Sequence, residues 1–578
     1  MNFLPAEIEG IIARTYHLEG EAKPLPGEVD LNFLFTAQDH RKYLFKVAKE
    51  GTERAHLEFQ NAMMRHLRAK NLGLDISQVV PSTSKGPILT LTGKKGEKRL
   101  ARLLTWVEGR PFATVNPHSA QLLHDLGTLC GRLSAALKDF DHPAAHRFIK
   151  WDIAQVEWIK PYLGTMEDTG KNALLDYYYD LYESVVMPMA GALPRSVIYN
   201  DANDYNVLVG PGKANPTVPG VIDFGDAVHS YTINELAIAL AYALMHKPDP
   251  MQAAYPIVQG YHKVFPIKEE ELKALFALVN ARLLISVVCS HQNREENPCN
   301  AYLQISDQAA WELMEKLREV PPTFAYYVFR HACGMEPCPA RSVFNDWAVR
   351  QAGHIKPIVN KPLNDAHWLD LGMGSLELGN QSNVLDGALL SSRIETAIRE
   401  SGKGAGLGKY NEARPFYTSP AFETESNDGP AWRTVHLGLD VFLPEGETVH
   451  APLAGTVHNL ADNKGERNYG PTVIIRHDVL PGLTFYTLYG HLDGLTLGKW
   501  KPGDNIKGGE QIGTIGAMHE NGGWPPHLHF QIMLDMLGKN GDYPGVAAPA
   551  LVEVWKSICP DPALLIKGSL PVVQQPPE

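Results

Sequence analysis

Period-two alternation of apolar and polar residues predicts two β-hairpins near the start of the chain. The first joins residues 32–35 to residues 43–47, and the second joins 88–92 to 100–105 through the turn Gly93-Lys94-Lys95-Gly96. Both connections are polar, and the second is bounded by glycines, as hairpin turns commonly are. The two hairpins together predict a small sheet lobe.

Helical periodicity dominates the following residues. A helix is predicted between the hairpins, over residues 52–70, and helical patterns extend from about 115 to 190 and from about 232 to 318. Two short strand-like runs, Val197–Val209 and Val218–Phe224, separate these helical regions. This order predicts a two-lobed domain in which a sheet lobe precedes a mainly helical lobe.

Three further regions follow this domain, which is predicted to span residues 1–325. Residues 326–395 are rich in Pro, Gly and Asn and have weak periodicity, so they are interpreted as a connector. Residues 396–567 are interpreted as a small antiparallel β domain, because short alternating strands with Gly and Pro turns dominate their later part. Residues 568–578 are interpreted as a disordered tail. The chain is therefore predicted to be a multidomain α+β protein.

Composition and charge exclude several classes of protein. Hydrophobic residues make up 44% of the 578 positions and charged residues 20%, the balance of a folded globular protein. The net charge of -12, without a basic run interleaved with aromatic residues, argues against a nucleic-acid partner. A secretory signal and a membrane span are not expected from the pattern, and the scattered cysteines are typical of a reduced protein. A cytoplasmic location is the expectation.

Strand-like runs in the predicted β domain place four side chains on shared faces. His436 and Asp440 lie an even number of residues apart, as do His527 and His529, and His491 ends another alternating run. Catalytic zinc takes three nitrogen or oxygen ligands and a water molecule. Two of these histidines with Asp440 meet that need, and the remaining histidines could transfer protons or stabilise an oxyanion.

These residues resemble the lysostaphin and LytM-type zinc metallopeptidases, which cut peptide bonds in bacterial cell-wall cross-links. The resemblance covers about Val435–Met533. It rests on His436-Leu437-Gly438-Leu439-Asp440, Ala451-Pro452-Leu453-Ala454-Gly455-Thr456-Val457, Tyr489-Gly490-His491-Leu492 and Pro526-His527-Leu528-His529-Phe530. The resemblance implies that Zn²⁺ is held by His436, Asp440 and His529, and that His491 and His527 are catalytic.

Two departures from that family pattern leave the substrate open. Gln531 stands where the family usually has Glu, and Asn521-Gly522-Gly523-Trp524 occupies a loop that is usually rich in Gly and Ser. Neither departure is expected to touch a zinc ligand.

A second group of polar residues lies beside the strand-like runs of the first domain. Asp201 and Asn206 lie in a loop between apolar runs, and Asp223 ends the next apolar run. Phosphoryl transfer needs an acid beside the accepting hydroxyl and oxygen ligands for the metal ion that bridges the phosphates. Asp201 suits the first task, and Asn206 and Asp223 suit Mg²⁺. Lys46, held by Glu58, could neutralise phosphate charge.

This arrangement resembles the aminoglycoside phosphotransferase and choline kinase superfamily over about residues 1–325, and most closely its hydroxylysine kinase members. The similarity rests on Asp201-Ala202-Asn203-Asp204-Tyr205-Asn206, on Val221-Ile222-Asp223-Phe224-Gly225-Asp226-Ala227 and on the helix that begins at Asn234. It implies a two-lobed, protein-kinase-like fold that binds ATP or GTP between its lobes, with the loop Pro26–Phe33 over the phosphates.

Together the resemblances imply a bifunctional enzyme. The first domain would phosphorylate the hydroxyl of a small amino alcohol such as hydroxylysine or ethanolamine, and the zinc domain would cleave a peptide or amide bond. Similar chains continue into a class III aminotransferase-like domain, so a separate pyridoxal-phosphate phospho-lyase is an implied partner.

Two alternatives stay open. The kinase family normally has His-Gly before the catalytic aspartate, whereas this chain has Tyr199-Asn200. That departure favours a regulatory pseudokinase attached to a zinc metallopeptidase of the peptidoglycan-endopeptidase type. A scaffold in which both sites are silent is the other alternative, and the presence of the main site residues argues against it.

Overall fold

The computed structural model divides the chain into two compact units, Met1–Cys333 and Gly334–Glu578. The residues that it describes are 3–27, 30–83, 86–92, 96–210, 217–296, 307–351, 353–378, 385–566 and 570. The predicted tail, 568–578, lies outside the described residues apart from residue 570.

The first unit begins with an antiparallel sheet. Its strands, in spatial order, are Gly20–Leu25, Leu31–Ala37, Lys42–Val47, Lys98–Thr105 and Val79–Val80, and Leu89–Thr92 also pairs with Lys98–Thr105. Both predicted hairpins are confirmed, although residues 93–95 of the second turn lie outside the described residues. One face of the sheet buries Phe33, Phe35 and Phe45 together with Ile8 and Ile12 of the helix Pro5–Tyr16.

The helical part of the first unit follows the sheet. Its helices, with the one that lies between the two hairpins, are Arg54–Ala69, Ala120–Leu137, Thr169–Val185, Asn234–Ala243, Pro250–Val264, Glu269–Glu296, Asp307–Arg318 and Pro322–Ala332. Ala120–Leu137 and Pro250–Val264 cross closely because both have glycine at the crossing. A Cβ on Gly127 would lie 1.9 Å from the carbonyl oxygen of Ile257, and one on Gly260 would lie 2.0 Å from that of His124.

Short strands link this helical part to the sheet lobe. Asp75–Ile76, Gly220–Val221, Val207–Val209 and Arg110–Pro111 form one small sheet, and Arg195–Ile198 pairs with Val228–Tyr231. These strands carry the loops in which the predicted phosphotransfer residues lie.

In the part of the chain that the structure describes, one helix, Glu269–Glu296, contains a stretch, Glu269–Arg294, that is long and apolar enough to cross a bilayer by length and composition. The sequence pattern hid it because Asn280 and Arg282 interrupt its apolar run. Its most apolar window is 89% buried inside the first unit, so protein contacts account for its apolar character.

An eight-stranded sheet forms the centre of the second unit. Its order is His367–Trp368, Gly406–Gly408, Leu439–Phe442, His527–Met533, Leu483–Gly490, Gly470–Leu480, Gly455–Asn463 and Asn505–Ile506, and every neighbouring pair except the first is antiparallel. Three small pairs flank it: Val435–His436 with Val546–Ala547, Thr448–His450 with Gln511–Thr514, and Glu423–Thr424 with Ala431–Trp432. The predicted antiparallel β domain is confirmed.

The predicted connector, 326–395, is not a separate region. Its first residues belong to a helix of the first unit, and the remainder belongs to the second, whose described helices are Ala340–Gln351, Gly387–Glu400, Val552–Ile558 and Ala563–Ile566. Phe344 lies 5.0 Å from the ring of Phe485 in the central sheet. The Pro- and Gly-rich flanks obscured these short helices, whose apolar residues pack on the β domain.

Candidate active sites

Asp201 and Asp223 both follow short buried strands of the first unit. Asp201 comes after Arg195–Ile198, and Asp223 comes after Gly220–Val221. Because Gly220–Val221 pairs with Val207–Val209 on the other side of the Asp201 loop, the two acidic segments lie side by side. The strand pairing therefore brings together the predicted acid and a predicted metal ligand.

Two amides orient the carboxylate of Asp201. Asn203 Nδ2 donates to Oδ1 at 2.8 Å, and Asn206 Nδ2 donates to Oδ2 at 2.5 Å. The side chain of Asp201 is 15% exposed. Burial, and then repulsion from Asp226, raise the pKa of Asp201 well above its ordinary value. A carboxylate held in this way is suited to accept a proton from a hydroxyl.

Lys46 faces Asp223 across the site. Lys46 Nζ lies 2.9 Å from both carboxylate oxygens of Asp223 and 3.5 Å from Oδ2 of Asp30. Burial alone would lower the pKa of Lys46, but these two carboxylates outweigh it and raise the pKa, which keeps the ammonium charged. Asp223 itself has a left-handed backbone, with φ 57°, and accepts from Gly225 N at 3.1 Å. Such backbone strain is common at functional sites.

Glu58 does not hold Lys46 as predicted, because its side chain is exposed. The helix Arg54–Ala69 instead turns Gln60 and Asn61 inward, and both accept hydrogen bonds from the buried Arg102. Helical spacing explains the error: Gln60 and Asn61 share the apolar face of this helix, whereas Glu58 lies on the other side.

Tyr199 and Asn200 replace the His-Gly pair of the family and still support the site. Tyr199 Oη donates to the carbonyl oxygen of Ile222, and its ring lies edge-on to Phe224 at 5.2 Å. Asn200 has φ 66°, in the left-handed region that glycine and asparagine tolerate best. Glu235 accepts from the backbone N–H of both residues, at 2.7 and 3.3 Å. These hydrogen bonds therefore hold the loop in place at Tyr199 and Asn200, where the chain differs from the family.

Arg282 is a site residue that sequence reasoning missed. Its Nη2 lies 3.8 Å from Asp201 Oδ1, and its Nη1 donates to the carbonyl oxygen of Trp151 at 2.6 Å. The buried guanidinium also stacks 4.7 Å from the Trp151 ring. Only an arginine inside an otherwise apolar helix signals this role in the sequence, because a buried cation requires a partner.

The second site is assembled by strand register. In the antiparallel pair of Leu439–Phe442 with His527–Met533, Asp440 is directly opposite His529. His436 lies four residues, two strand periods, before Asp440 and ends a separate short strand. The pairing of two distant strands thus brings the side chains that the alternation predicted into one cluster.

Three side chains of this cluster are spaced as metal ligands. Among the residues that the structure describes, His436, Asp440 and His529 form a buried group whose ligand atoms all lie within 4.8 Å of one another. Asp440 Oδ1 is 3.2 Å from His436 Nε2 and 3.1 Å from His529 Nδ1. Two imidazole nitrogens and a carboxylate oxygen form a donor set that fits zinc. His527 Nε2 lies slightly farther away, 3.8 Å from Asp440 Oδ1.

Backbone carbonyl groups fix the orientation of three histidines. The pairs are His436 Nδ1 with Lys409 O at 3.0 Å, His491 Nδ1 with Asn521 O at 3.0 Å, and His527 Nδ1 with Pro525 O at 2.7 Å. A carbonyl oxygen only accepts, so each Nδ1 carries the proton and each Nε2 keeps its lone pair. Burial lowers the pKa of all three rings, that of His436 to about 4, so they are neutral near pH 7.

Gln531 does contact a predicted zinc ligand, contrary to expectation. Its Oε1 lies 2.9 Å from His529 Nε2, and its Nε2 donates to the carbonyl oxygen of Pro544 at 3.0 Å. The amide thus accepts the ring N–H of His529 and leaves His529 Nδ1 facing Asp440. Gln531 orients this ligand without adding a negative charge. The other departure contributes as well, since the Asn521 carbonyl orients His491.

Comparisons with known proteins cover both sites. Residues 21–274 match the phosphotransferase enzyme family, and residues 434–542 match peptidase family M23. Hydroxylysine kinase of Mus musculus is 27% identical over 338 residues, 54% of this chain and 89% of that protein. The Danio rerio hydroxylysine kinase is 28% identical over 333 residues, 55% of this chain and 92% of that protein. The chain carries a phosphotransferase domain and an M23 peptidase domain.

A solved structure of amicoumacin kinase hAmiN, in complex with AMP-PNP, Ca²⁺ and Ami, is similar to part of this chain. It covers 54% of this chain and 94% of that chain, with 16% sequence identity and a TM-score of 0.43. Within the phosphotransferase domain, the predicted residues Lys46, Asp201, Asn206 and Asp223 come together. The predicted loop over the phosphates is described in part only, because residues 28 and 29 lie outside the described residues.

Arg414, which lies before the region that matches peptidase family M23, is a second site residue that sequence reasoning missed. This buried arginine donates from Nη1 to Asp440 Oδ2 at 2.6 Å and from Nε to Glu412 Oε2 at 3.0 Å. Burial alone would raise the pKa of Asp440, but His436 and Arg414 outweigh it and hold the pKa well below its ordinary value. One oxygen of Asp440 is therefore committed to Arg414, and the other faces the histidines.

Arg414→Gln should weaken zinc binding about 10- to 100-fold, the usual effect of losing a side chain that orients a ligand. The glutamine cannot fix Oδ2 of Asp440 as a guanidinium does, so the carboxylate can rotate. Chelator competition on the purified variants measures the affinity. Arg414→Lys, which restores the positive charge without the planar fork of a guanidinium, should recover part of the loss. Equal affinity in Arg414→Gln and wild type would show that Arg414 does not position the ligand.

Proposed function

We propose that the protein is a bifunctional enzyme. Its phosphotransferase domain phosphorylates the hydroxyl of a small amino alcohol of the hydroxylysine or ethanolamine type, with ATP or GTP as donor. Its M23 domain is a zinc-dependent hydrolase that cleaves a peptide or amide bond. The observation that carries the first activity is the orientation of Asp201 beside the Lys46–Asp223 pair. The buried cluster of His436, Asp440 and His529 carries the second.

In the proposed phosphotransfer, Asp201 accepts the proton of the substrate hydroxyl while Lys46 pairs with phosphate oxygens. Asn206 directs its amide N–H groups to Asp201, which leaves its amide oxygen for a cation shared with Asp223. Mg²⁺ held by these two residues would supply charge neutralisation at the phosphates. The similarity to hydroxylysine kinases of Mus musculus and Danio rerio supports an amino alcohol as acceptor.

In the proposed hydrolysis, the protein's own groups move a proton. A bound zinc ion would lower the pKa of its water and polarise the scissile carbonyl. The unprotonated Nε2 atoms of His491 and His527 are suited to accept the proton of the attacking water and to return it to the leaving amine. Their rings lie 4.3 Å apart, so both can act on one bond.

The decisive assay offers ATP or GTP with a panel of amino alcohols that includes hydroxylysine and ethanolamine, and measures phosphate transfer. Transfer to one acceptor class would establish the kinase and its substrate. Nucleotide binding without transfer to any acceptor would favour the pseudokinase alternative. That alternative rests on Tyr199-Asn200, and the hydrogen bonds of these residues to Ile222 and Glu235 argue against it.

The product of the proposed phosphotransfer suggests a partner enzyme. A phosphorylated amino alcohol has a good leaving group next to an amine-bearing carbon. A separate pyridoxal-phosphate enzyme that eliminates phosphate is therefore the proposed partner. The cytoplasm is the proposed location, because the scattered cysteines are typical of a reduced protein. The M23 domain would release amino alcohol or amino acid from a peptide or amide precursor.

Phosphate transfer should fall at acidic pH, at a higher pH than for an ordinary aspartate with a pKa of about 3.9. Burial and Asp226 raise the pKa of Asp201, and only the carboxylate accepts a proton, so activity is lost as pH falls through this raised value. The acid limb of kcat/KM measures it. Asp226→Asn should move that limb to lower pH, and an unchanged profile would contradict the assignment of Asp201 as the base.

A further inference from the structure

The cleft beside the metal ligands is built partly by residues outside the region that matches peptidase family M23. Its volume is about 320 Å³, at the small end of the usual range for ligand pockets. The match begins at residue 434, yet eight residues that line the cleft precede it. They are Leu390, Ile394, Arg414, Phe416, Tyr417, Ala421, Phe422 and Arg433. We call residues 385–433 the wall segment.

The wall segment is packed into the core rather than laid over the surface. Leu390, Ile394, Phe416, Tyr417 and Phe422 belong to one buried apolar cluster, which also contains Trp524 and Phe442 of the matched region. The rings of Tyr417 and Phe422 lie 4.7 Å apart, and those of Phe416 and Trp524 lie 5.6 Å apart. Removal of the wall segment would therefore expose the core. The wall segment is thus a fixed side of the cleft.

Arg467 ties the wall segment to the opposite rim of the cleft. Its Nη2 donates to the carbonyl oxygen of Leu385 at 2.8 Å, and its guanidinium lies 4.4 Å from the ring of Trp524. Its backbone has φ 64°, an uncommon conformation that is held by a hydrogen bond from Arg467 N to Gly522 O at 2.8 Å. The two sides of the cleft are thus fixed relative to each other.

Aromatic rings that line the cleft lie close to the candidate metal-binding and catalytic histidines. The ring of Phe442 stacks on His527 at 4.9 Å, that of Tyr417 lies 6.3 Å from His436, and that of Trp524 lies 6.5 Å from His491. A substrate side chain next to the scissile bond would therefore meet aromatic rings. Aromatic and aliphatic side chains gain most from such surroundings, because they leave water for an apolar surface.

We propose that the wall segment makes the M23 domain selective for peptides or amides that carry an apolar or aromatic side chain next to the scissile bond. Glycine-rich segments are poor substrates, because they leave the aromatic rings of the cleft uncovered. This proposal rests on the proposed hydrolase function.

A peptide series tests the selectivity with the zinc-loaded full-length protein. The substrates are a capped Leu-Phe dipeptide and a capped Gly-Gly dipeptide. We expect kcat/KM for capped Leu-Phe to exceed that for capped Gly-Gly at least 10-fold. Equal rates on both, or faster cleavage of Gly-Gly, would overturn the proposal and leave the hydrolase function standing. Cleavage of neither would count against both the selectivity and the hydrolase function.

A cavity-filling variant tests the wall segment itself. Ala421 is exposed and lines the cleft, so Ala421→Trp should fill space without disturbing the core. The matched control is Ala550→Trp, since Ala550 is also exposed and does not line the cleft. We expect Ala421→Trp to lower kcat/KM for capped Leu-Phe at least 10-fold with zinc content unchanged, and Ala550→Trp to behave as wild type.

Binding of capped Leu-Phe to the metal-free protein, measured by calorimetry, separates the cleft from the chemistry. Ala421→Trp should weaken this binding at least 10-fold relative to both wild type and Ala550→Trp. Undiminished binding and turnover in Ala421→Trp would show that the wall segment does not contact the substrate. That result would overturn the proposal without touching the zinc site.

Discussion

Asp201→Asn should reduce phosphate transfer to the amino-alcohol acceptor by about 10²- to 10⁴-fold, the usual contribution of a general base. The substitution removes the proton acceptor, while the amides of Asn203 and Asn206 that hold the side chain remain. Nucleotide binding should change much less, because Lys46 and Asp223 are untouched. Steady-state transfer of labelled phosphate, with nucleotide affinity measured separately, checks both parts.

Asp176→Asn is the matched control for this prediction, since Asp176 is an exposed aspartate on the helix Thr169–Val185. It should transfer phosphate at the wild-type rate. The thermal midpoint of Asp201→Asn should not fall far, because the buried carboxylate has a raised pKa and is itself costly to the fold. Full transfer by Asp201→Asn would remove Asp201 from the mechanism.

His436→Ala should abolish both zinc binding and hydrolysis. His436 Nε2 lies 3.0 Å from His529 Nδ1 and 3.2 Å from Asp440 Oδ1, so its loss leaves only two ligands from this chain. His491→Ala should separate the two properties: zinc stays bound, and hydrolysis falls at least about 10²-fold. Metal analysis and turnover of capped Leu-Phe on the same samples measure both.

His519→Ala provides the control, because His519 is exposed in the same unit and outside the cluster. It should retain zinc and activity. Full zinc content in His436→Ala would mean that other residues hold the metal, and zinc loss in His491→Ala would assign that residue to the ligand set instead.

The local chemistry of both sites could be predicted because it depends on spacing along one strand or loop. Alternation alone placed His436 with Asp440, and His527 with His529, and the structure keeps each pair on adjoining positions of one cluster. The same holds for Asp201 and Asn206, whose hydrogen bond closes a loop of six residues. Side-chain direction within a strand or short loop is a property of the backbone, so the sequence contains it.

Contacts between distant segments were less predictable. Lys46 was paired with Glu58, its neighbour along the chain, whereas its partners are Asp30 on one side and Asp223 far along the chain on the other. Helical spacing could have excluded Glu58, but no local rule could have chosen Asp223. Arg282 and Arg414 were missed for the same reason, since each is defined by a carboxylate from another part of the chain.

The sequence by itself determined which groups are available for chemistry and which of them share a face, because the periods of strands and helices are local. Only the tertiary structure decided the register that sets Asp440 opposite His529, the arginine that occupies the second oxygen of Asp440, and the aromatic wall of the cleft. These depend on pairing and packing between distant segments, whose free energy comes from burial of the whole unit rather than from any one segment.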